Sequence, residues 1–115
     1  MTDCIFCKIV NKEAPAEIVY EDDYAIVFEN INPVAPTHLL AIPKKHIASV
    51  NQIEEEDAEL IGKTLIAARL AAAKKGIGNG YKVAINVEKD GGQEIFHLHF
   101  HILGGLKDNK EIKWH

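Results

Sequence analysis

An antiparallel α+β domain is the fold class this sequence predicts, and three observations carry it. Short runs rich in Val, Ile and aromatic residues are set apart by acidic, Pro or Gly turns. One long helical pattern fills the middle of the chain, and most connections are short, which together give an antiparallel sheet of about five strands with one long helix. The 115 residues suit a single domain spanning 1–115, and 47% hydrophobic content builds one core without disulfide staples.

Residues 17–20 and 24–28 read as the first two strands, joined through Glu21-Asp22-Asp23 as a hairpin. Two Pro-bearing stretches, 32–36 and 43–45, read as loops, and 37–42 between them reads as a strand. Asn51 with Glu54 can form a capping box, acids crowd the first turn, Lys74 and Lys75 occupy the last, and Gly76 can take the left-handed stop. These signals predict a helix over 52–75. Ile61, Leu65, Ala68 and Ala72 form its sheet-facing stripe. Ile66, Leu70 and Ala73, with Gly62 a turn earlier, form a second stripe that either wedges under loops or meets another subunit. Beyond a turn at Gly76, Gly78 and Gly80, residues 81–87 alternate as a strand, Asp90-Gly91-Gly92 is a loop, and 95–103 is a further strand.

Seventeen acidic against thirteen basic residues give a net charge of −4, which disfavours a nucleic acid polymer as partner but leaves room for a small phosphorylated ligand. Neither a signal peptide nor a membrane span is visible, so the expected compartment is the cytoplasm.

Three of the six histidines, His97, His99 and His101, stand at strand spacing, so their rings share one face while Leu98, Phe100 and Ile102 enter the core. Alternate residues lie roughly 6.5 to 7 Å apart, close enough for the rings to surround one phosphate-sized group. Two chemistries fit such a row. The imidazoles could be ligands of a catalytic metal, or one neutral ring could attack phosphorus while its neighbours supply protons and backbone N–H groups bind phosphate oxygens. Gly91-Gly92-Gln93 could offer such donors or be a plain hairpin turn. The only two cysteines form Cys4-Ile5-Phe6-Cys7, a spacing that suits a metal or redox pair; reduced, unmetallated thiols are the alternative.

The run from Gly92 through His97-Leu98-His99-Phe100-His101-Ile102-Leu103 to Gly105 resembles the signature of the histidine-triad family, in its Hint branch. Further similarity lies at Ile5-Phe6, Glu21-Asp22-Asp23, Ala35-Pro36-Thr37-His38, Ile42-Pro43-Lys44-Lys45-His46, Gly80-Tyr81 and Asn86. The resemblance implies a homodimer with a short N-terminal helix that hydrolyses purine nucleoside phosphoramidates, and aminoacyl adenylates, through a covalent nucleotidyl-histidine, with no metal needed for the chemistry. It makes His99 the nucleophile, with His38, His97 and His101 as its supporting network. Asn86, Gly92 and Gln93 would contact phosphate, while Phe6, Phe28 and Ile31 would enclose the base. At position 30 an Asp commonly holds the ribose, and Asn30 here can accept only without charge. At position 94 the chain has Glu94 where a Ser often touches phosphate, which leaves that residue's role open. The last residues differ in length from those of relatives, whose C-terminal Trp approaches the partner's site, which leaves the relation of Trp114 to that Trp open.

The same resemblance implies a structural Zn²⁺ held by Cys4, Cys7, His46 and His97. A non-catalytic nucleotide-binding or scaffold protein, and a metal-dependent enzyme using the triad as ligands, stand as alternative readings.

Overall fold

The computed structural model describes residues 4–106, and Trp114 therefore lies outside the described residues. A short helix α1 (Ile5–Val10) leads into the hairpin β1 (Ile18–Glu21) and β2 (Ala25–Glu29), followed by β3 (Thr37–Pro43). The long helix α2 (Ala58–Lys74) comes next, then β4 (Lys82–Ala84) and β5 (Phe100–Gly104). All neighbours pair antiparallel in the order β1-β2-β3-β5-β4. The hairpin closes as expected, because Asp22 Oδ1 accepts the N–H groups of Tyr24 (2.8 Å) and Ala25 (2.9 Å).

The sheet is covered on both faces, which is why β2 and β3 are nearly unbroken apolar runs. Ala25, Val27, Leu39, Ala41, Phe100 and Ile102 face α2 and pack on Ala67, Ala68, Ala71 and Ala72. Ile26, Phe28, Leu40 and Ile42 face the other way and are roofed by Phe6 and Ile9 of α1. By the same alternation His38 and His101 lie on the α1 side. Among the described residues no helix is long and apolar enough to cross a membrane.

Three expectations need correction. The long helix starts at Ala58, after two separate 3₁₀ turns at Val50–Gln52 and Glu55–Asp57. Ser49 takes the Asn51 N–H (3.2 Å) and Ile53 is extended, so the first turn stops; Asp57 accepts the Glu54 N–H (2.9 Å) and pairs with Lys45 (2.7 Å). Leu65 is 42% exposed, because the packing face is centred on Thr64 and the four alanines, about 100° around the helix. The triad strand begins only at Phe100. Its partner β4 ends at Ala84 opposite His101, and the Leu98 N–H turns to the Ile47 carbonyl instead (2.7 Å).

Candidate active site and metal centre

Cys4 caps α1, its Sγ accepting the Cys7 N–H (3.3 Å), and one helical turn brings Cys7 beside it. His46, beyond β3, and His97 complete a cluster whose four ligand atoms lie within 4.8 Å of one another. His97 Nδ1 is 3.4 Å from Cys4 Sγ, 3.6 Å from Cys7 Sγ and 3.2 Å from His46 Nδ1, and Cys7 Sγ is 3.3 Å from His46 Nδ1. Tetrahedral zinc, with bonds of about 2.0 to 2.3 Å, needs ligand atoms about 3.3 to 3.8 Å apart. These four separations lie at or within about 0.1 Å of that range. His97 Nε2–H donates to the Pro43 carbonyl (2.8 Å), which leaves the lone pair on Nδ1 facing the cluster. Burial, and then the adjoining Cys4, push the Cys7 thiol up, a penalty that a bound cation would reverse.

His97 shares the α1 side with the other two triad rings, Phe6 lying edge-on to both His97 (5.9 Å) and His99 (5.2 Å). The row divides by partner: the His97 side chain joins the cysteines, while His99 and His101 gather with His38. The His97 main chain stays in the other group, because its carbonyl accepts Nδ1–H of His99 (2.8 Å).

That bond decides what His99 can do. A carbonyl only accepts, so the hydrogen is on Nδ1 and the lone pair is on Nε2. His99 is 7% exposed, and burial pushes its pKa below the ordinary histidine value, partly offset by the carbonyl. Phe6 meets its ring edge-on at 5.2 Å between centroids.

A second chain of bonds fixes His38 and His101. The Val34 N–H donates to His38 Nδ1 (3.1 Å), and a backbone amide can only donate, so the His38 hydrogen sits on Nε2. It is donated to His101 Nδ1 (2.9 Å), which puts the His101 hydrogen on Nε2. Burial, then the charge that His99 would carry, lowers the pKa of both rings, that of His101 to about 4. His97 is likewise pushed down to about 4, chiefly by burial. Asn30 Nδ2 lies 3.3 Å from His38 Nε2, and Asn30 Oδ1 accepts the Asn32 N–H (2.8 Å).

Residues 86–93 form a tight loop. Asn86 Nδ2 donates to the Gly91 carbonyl (2.9 Å), and Gly92, at φ +86°, lies so close that a Cβ there would stand 3.0 Å from Asn86 Nδ2. The Gln93 side chain holds the loop together. Its Oε1 accepts the Glu88 N–H (2.8 Å), and Nε2 donates to the carbonyls of Ala48 (2.7 Å) and Ile95 (3.0 Å), so both amide hydrogens are used. Glu94 is exposed. Phe6 and Phe28 are buried in the core, in edge contact at 5.5 Å, whereas Ile31 is 90% exposed. Sequence reasoning missed the main-chain groups that set the tautomers, Val34 N–H and the Pro43 and His97 carbonyls. Main-chain donors leave no residue-type signal.

The profile of the family described as HIT domain matches residues 11–108. A HIT family hydrolase from Legionella pneumophila is 48% identical, with a TM-score of 0.86 over 90% of this chain and 93% of that one. A zinc-bound histidine triad family protein from Mycobacterium smegmatis is 30% identical, with a TM-score of 0.81 over 97% of this chain and 81% of that one. A histidine triad nucleotide-binding protein from Candida albicans is 29% identical, with a TM-score of 0.79 over 87% of this chain and 73% of that one.

Proposed function

Because the chain belongs to the HIT domain family, we propose that it is a nucleotide-binding hydrolase that cleaves the P–N bond of purine nucleoside phosphoramidates. Aminoacyl adenylates, which present the same phosphorus, fall within its reach. The observation that carries this reading is the bond from His99 Nδ1–H to the His97 carbonyl, which aims a neutral Nε2 lone pair out of a buried ring. Nε2 attacks the α-phosphorus, a phosphorus–His99 bond forms, and the bond to the leaving amine breaks as the amine takes a proton from solvent, which the attacking water gives back in the next step. Water then attacks the same phosphorus, which returns His99 and releases the nucleoside monophosphate. The His38–His101 pair stands against His99 and fixes one side of the site where charge develops on phosphate. Asn86 and the backbone at Gly92 bind phosphate oxygens, and exposed Ile31 offers an apolar ledge to the purine. Asn30 Oδ1 keeps one lone pair for a ribose hydroxyl.

Adenosine 5′-phosphoramidate turnover in the presence of a chelator tests this reading. Sustained hydrolysis supports it, binding without turnover points to a carrier or scaffold, and loss on chelation points to triad-bound catalytic metal. The sign of the pH dependence follows from burial. Since the His99, His38 and His101 pKa values all lie below 6.5, neutral rings persist under that pH. Stopped assays should find kcat/KM level across neutral pH, with its acidic limb displaced below pH 6.5. A steep loss already between pH 7.5 and 6.5 would contradict it.

We also assign Cys4, Cys7, His46 and His97 to one structural Zn²⁺, in keeping with the zinc-bound relative. Bound there, zinc supplies cross-linking of α1 to the segments after β3 and before β5. Two neighbouring free thiols suit the reducing cytoplasm, where we place the protein. Finally, Ile66 (50% exposed) and Leu65 (42%) on α2, with Val83 (42%) on edge strand β4, favour a homodimer. Analytical ultracentrifugation at micromolar concentration is expected to give the mass of two chains; a monomer there would remove the assignment.

A further inference from the structure

Four consecutive residues after β3 each hold a different part of the site. His46 belongs to the cysteine cluster, the Ile47 carbonyl accepts the Leu98 N–H (2.7 Å), and the Ala48 carbonyl accepts from Gln93 Nε2 (2.7 Å). The fourth, Ser49, donates its hydroxyl to the Glu88 carboxylate. Ser49 is fully buried; its oxygen accepts the Asn51 N–H (3.2 Å), and Gln52 Oε1 (2.9 Å) lies beside it as the alternative acceptor for its one hydrogen. It is a fixed post.

Glu88 is the hub of the loop 86–93. Its carbonyl accepts the N–H groups of Gly91 (3.0 Å) and Gln93 (3.1 Å), and its own N–H donates to Gln93 Oε1 (2.8 Å). Its backbone stands at φ 63°, ψ 176°, a conformation open to glycine and sparsely populated by residues with a side chain. A glycine would suit the backbone better, so the side chain must contribute something that offsets the strain. The loop is bonded internally, and the Gln93 amide attaches it to Ala48. One attachment of that kind permits pivoting; a second, from the other end of the loop to the adjacent residue, stops it. The Ser49–Glu88 bond is that second attachment, and a hydroxyl-to-carboxylate bond is stronger than a neutral one.

We propose that Glu88 is a positioning residue whose carboxylate, anchored on Ser49, fixes the orientation of the phosphate-binding loop relative to the segment carrying His99. The proposal rests on the hydrolase reading above. Misplacing a binding group by a fraction of an ångström lowers rate without touching the nucleophile.

The experiment compares Glu88→Gly, Glu88→Gln, Ser49→Ala and the double variant Glu88→Gly/Ser49→Ala, assayed well below their melting transitions. Glu88→Gly and Ser49→Ala are expected to lose about tenfold in kcat/KM, the double variant to lose no more than either, and Glu88→Gln, which can still accept from Ser49, to stay within about threefold. A role in stability alone would instead make Glu88→Gly harmless, since glycine relieves the backbone. Wild-type kcat/KM in Glu88→Gly, or losses that multiply in the double variant, would overturn the proposal. If the wild-type protein fails to turn over adenosine 5′-phosphoramidate, the hydrolase reading falls, and calorimetric AMP affinity decides the positioning role. An affinity about tenfold weaker in Glu88→Gly and retained in Glu88→Gln upholds it. Equal affinities, or no AMP binding by the wild type, overturn it.

Discussion

His99→Ala is expected to lower kcat/KM for adenosine 5′-phosphoramidate by at least about 10³-fold while AMP binding persists within about tenfold. The size follows from the geometry around the ring. His99 has one nitrogen committed to the His97 carbonyl and the other left as a lone pair. No neighbour can substitute for it. The Nδ1 atom of His38 is engaged by Val34 N–H and that of His101 by His38. His97 has Nε2 on the Pro43 carbonyl and Nδ1 in the cysteine cluster. Binding survives because Asn86, Gly92 and Ile31 are supplied by other segments. Truncating a buried ring also leaves a cavity beneath Phe6, so His99→Asn is the control: similar in size, it can donate to the carbonyl but carries no nucleophilic ring. Mass spectrometry of a rapidly quenched wild-type reaction should find nucleotidyl mass on the peptide containing His99, and neither variant should. Turnover by either variant within tenfold of wild type would remove His99 as the nucleophile.

How much of this was written in the sequence differs from residue to residue, and the difference is physical. The strand signals at 17–20, 24–28 and 37–42 match β1, β2 and β3 to within a residue, because both their turns and their apolar patterns are local. Gly76 ends the helix at φ +79° for the same reason. The helix start was not legible, since Asp57 owes part of its role to Lys45, whose approach depends on tertiary structure. Likewise, period-two spacing placed three histidines on one face and Phe6 does pack on both His97 and His99, yet regular pairing with β4 ends at His101 opposite Ala84 and nothing local announces that. His97 was assigned to both the catalytic and the metal group, and its side chain and main chain divide those roles between them. The Ser49–Glu88 contact spans 39 positions and uses two commonplace residues, so neither pattern nor composition could indicate it. Gln93 was singled out through the family resemblance, and the bonds its amide makes across the loop to Ala48 and Glu88 carry no signal in the sequence.

Chelation is expected to remove one zinc per chain and to lower the melting temperature by about 10 °C. A ligand at a hundred times its dissociation constant contributes about 2.7 kcal/mol, and each kcal/mol moves the midpoint of a domain this size by about 4 °C. Cys4→Ser should reproduce both effects, with the damage concentrated in α1, since Cys4 is at once a cluster member and the cap of that helix. Acid acts in the same direction: thiolates and neutral imidazoles are the binding forms, so zinc is held near neutral pH and released as pH falls. Catalysis should suffer less than stability. The peptide that holds His99 Nδ1–H is also pinned through Leu98 N–H to the Ile47 carbonyl, a bond that needs no metal. The nucleophile therefore keeps its tautomer without zinc. Phe6 is more vulnerable, because it rides on α1 and rests edge-on against His99 and Phe28. Loosening α1 should raise KM several-fold while kcat changes by less than about threefold. Elemental analysis of protein purified without chelator, followed by melting and kinetics on Cys4→Ser, checks each part. Metal content near zero, or an unchanged melting temperature in Cys4→Ser, would reduce the cluster to two thiols beside two imidazoles, and a kcat that collapses with metal loss would make zinc part of the chemistry.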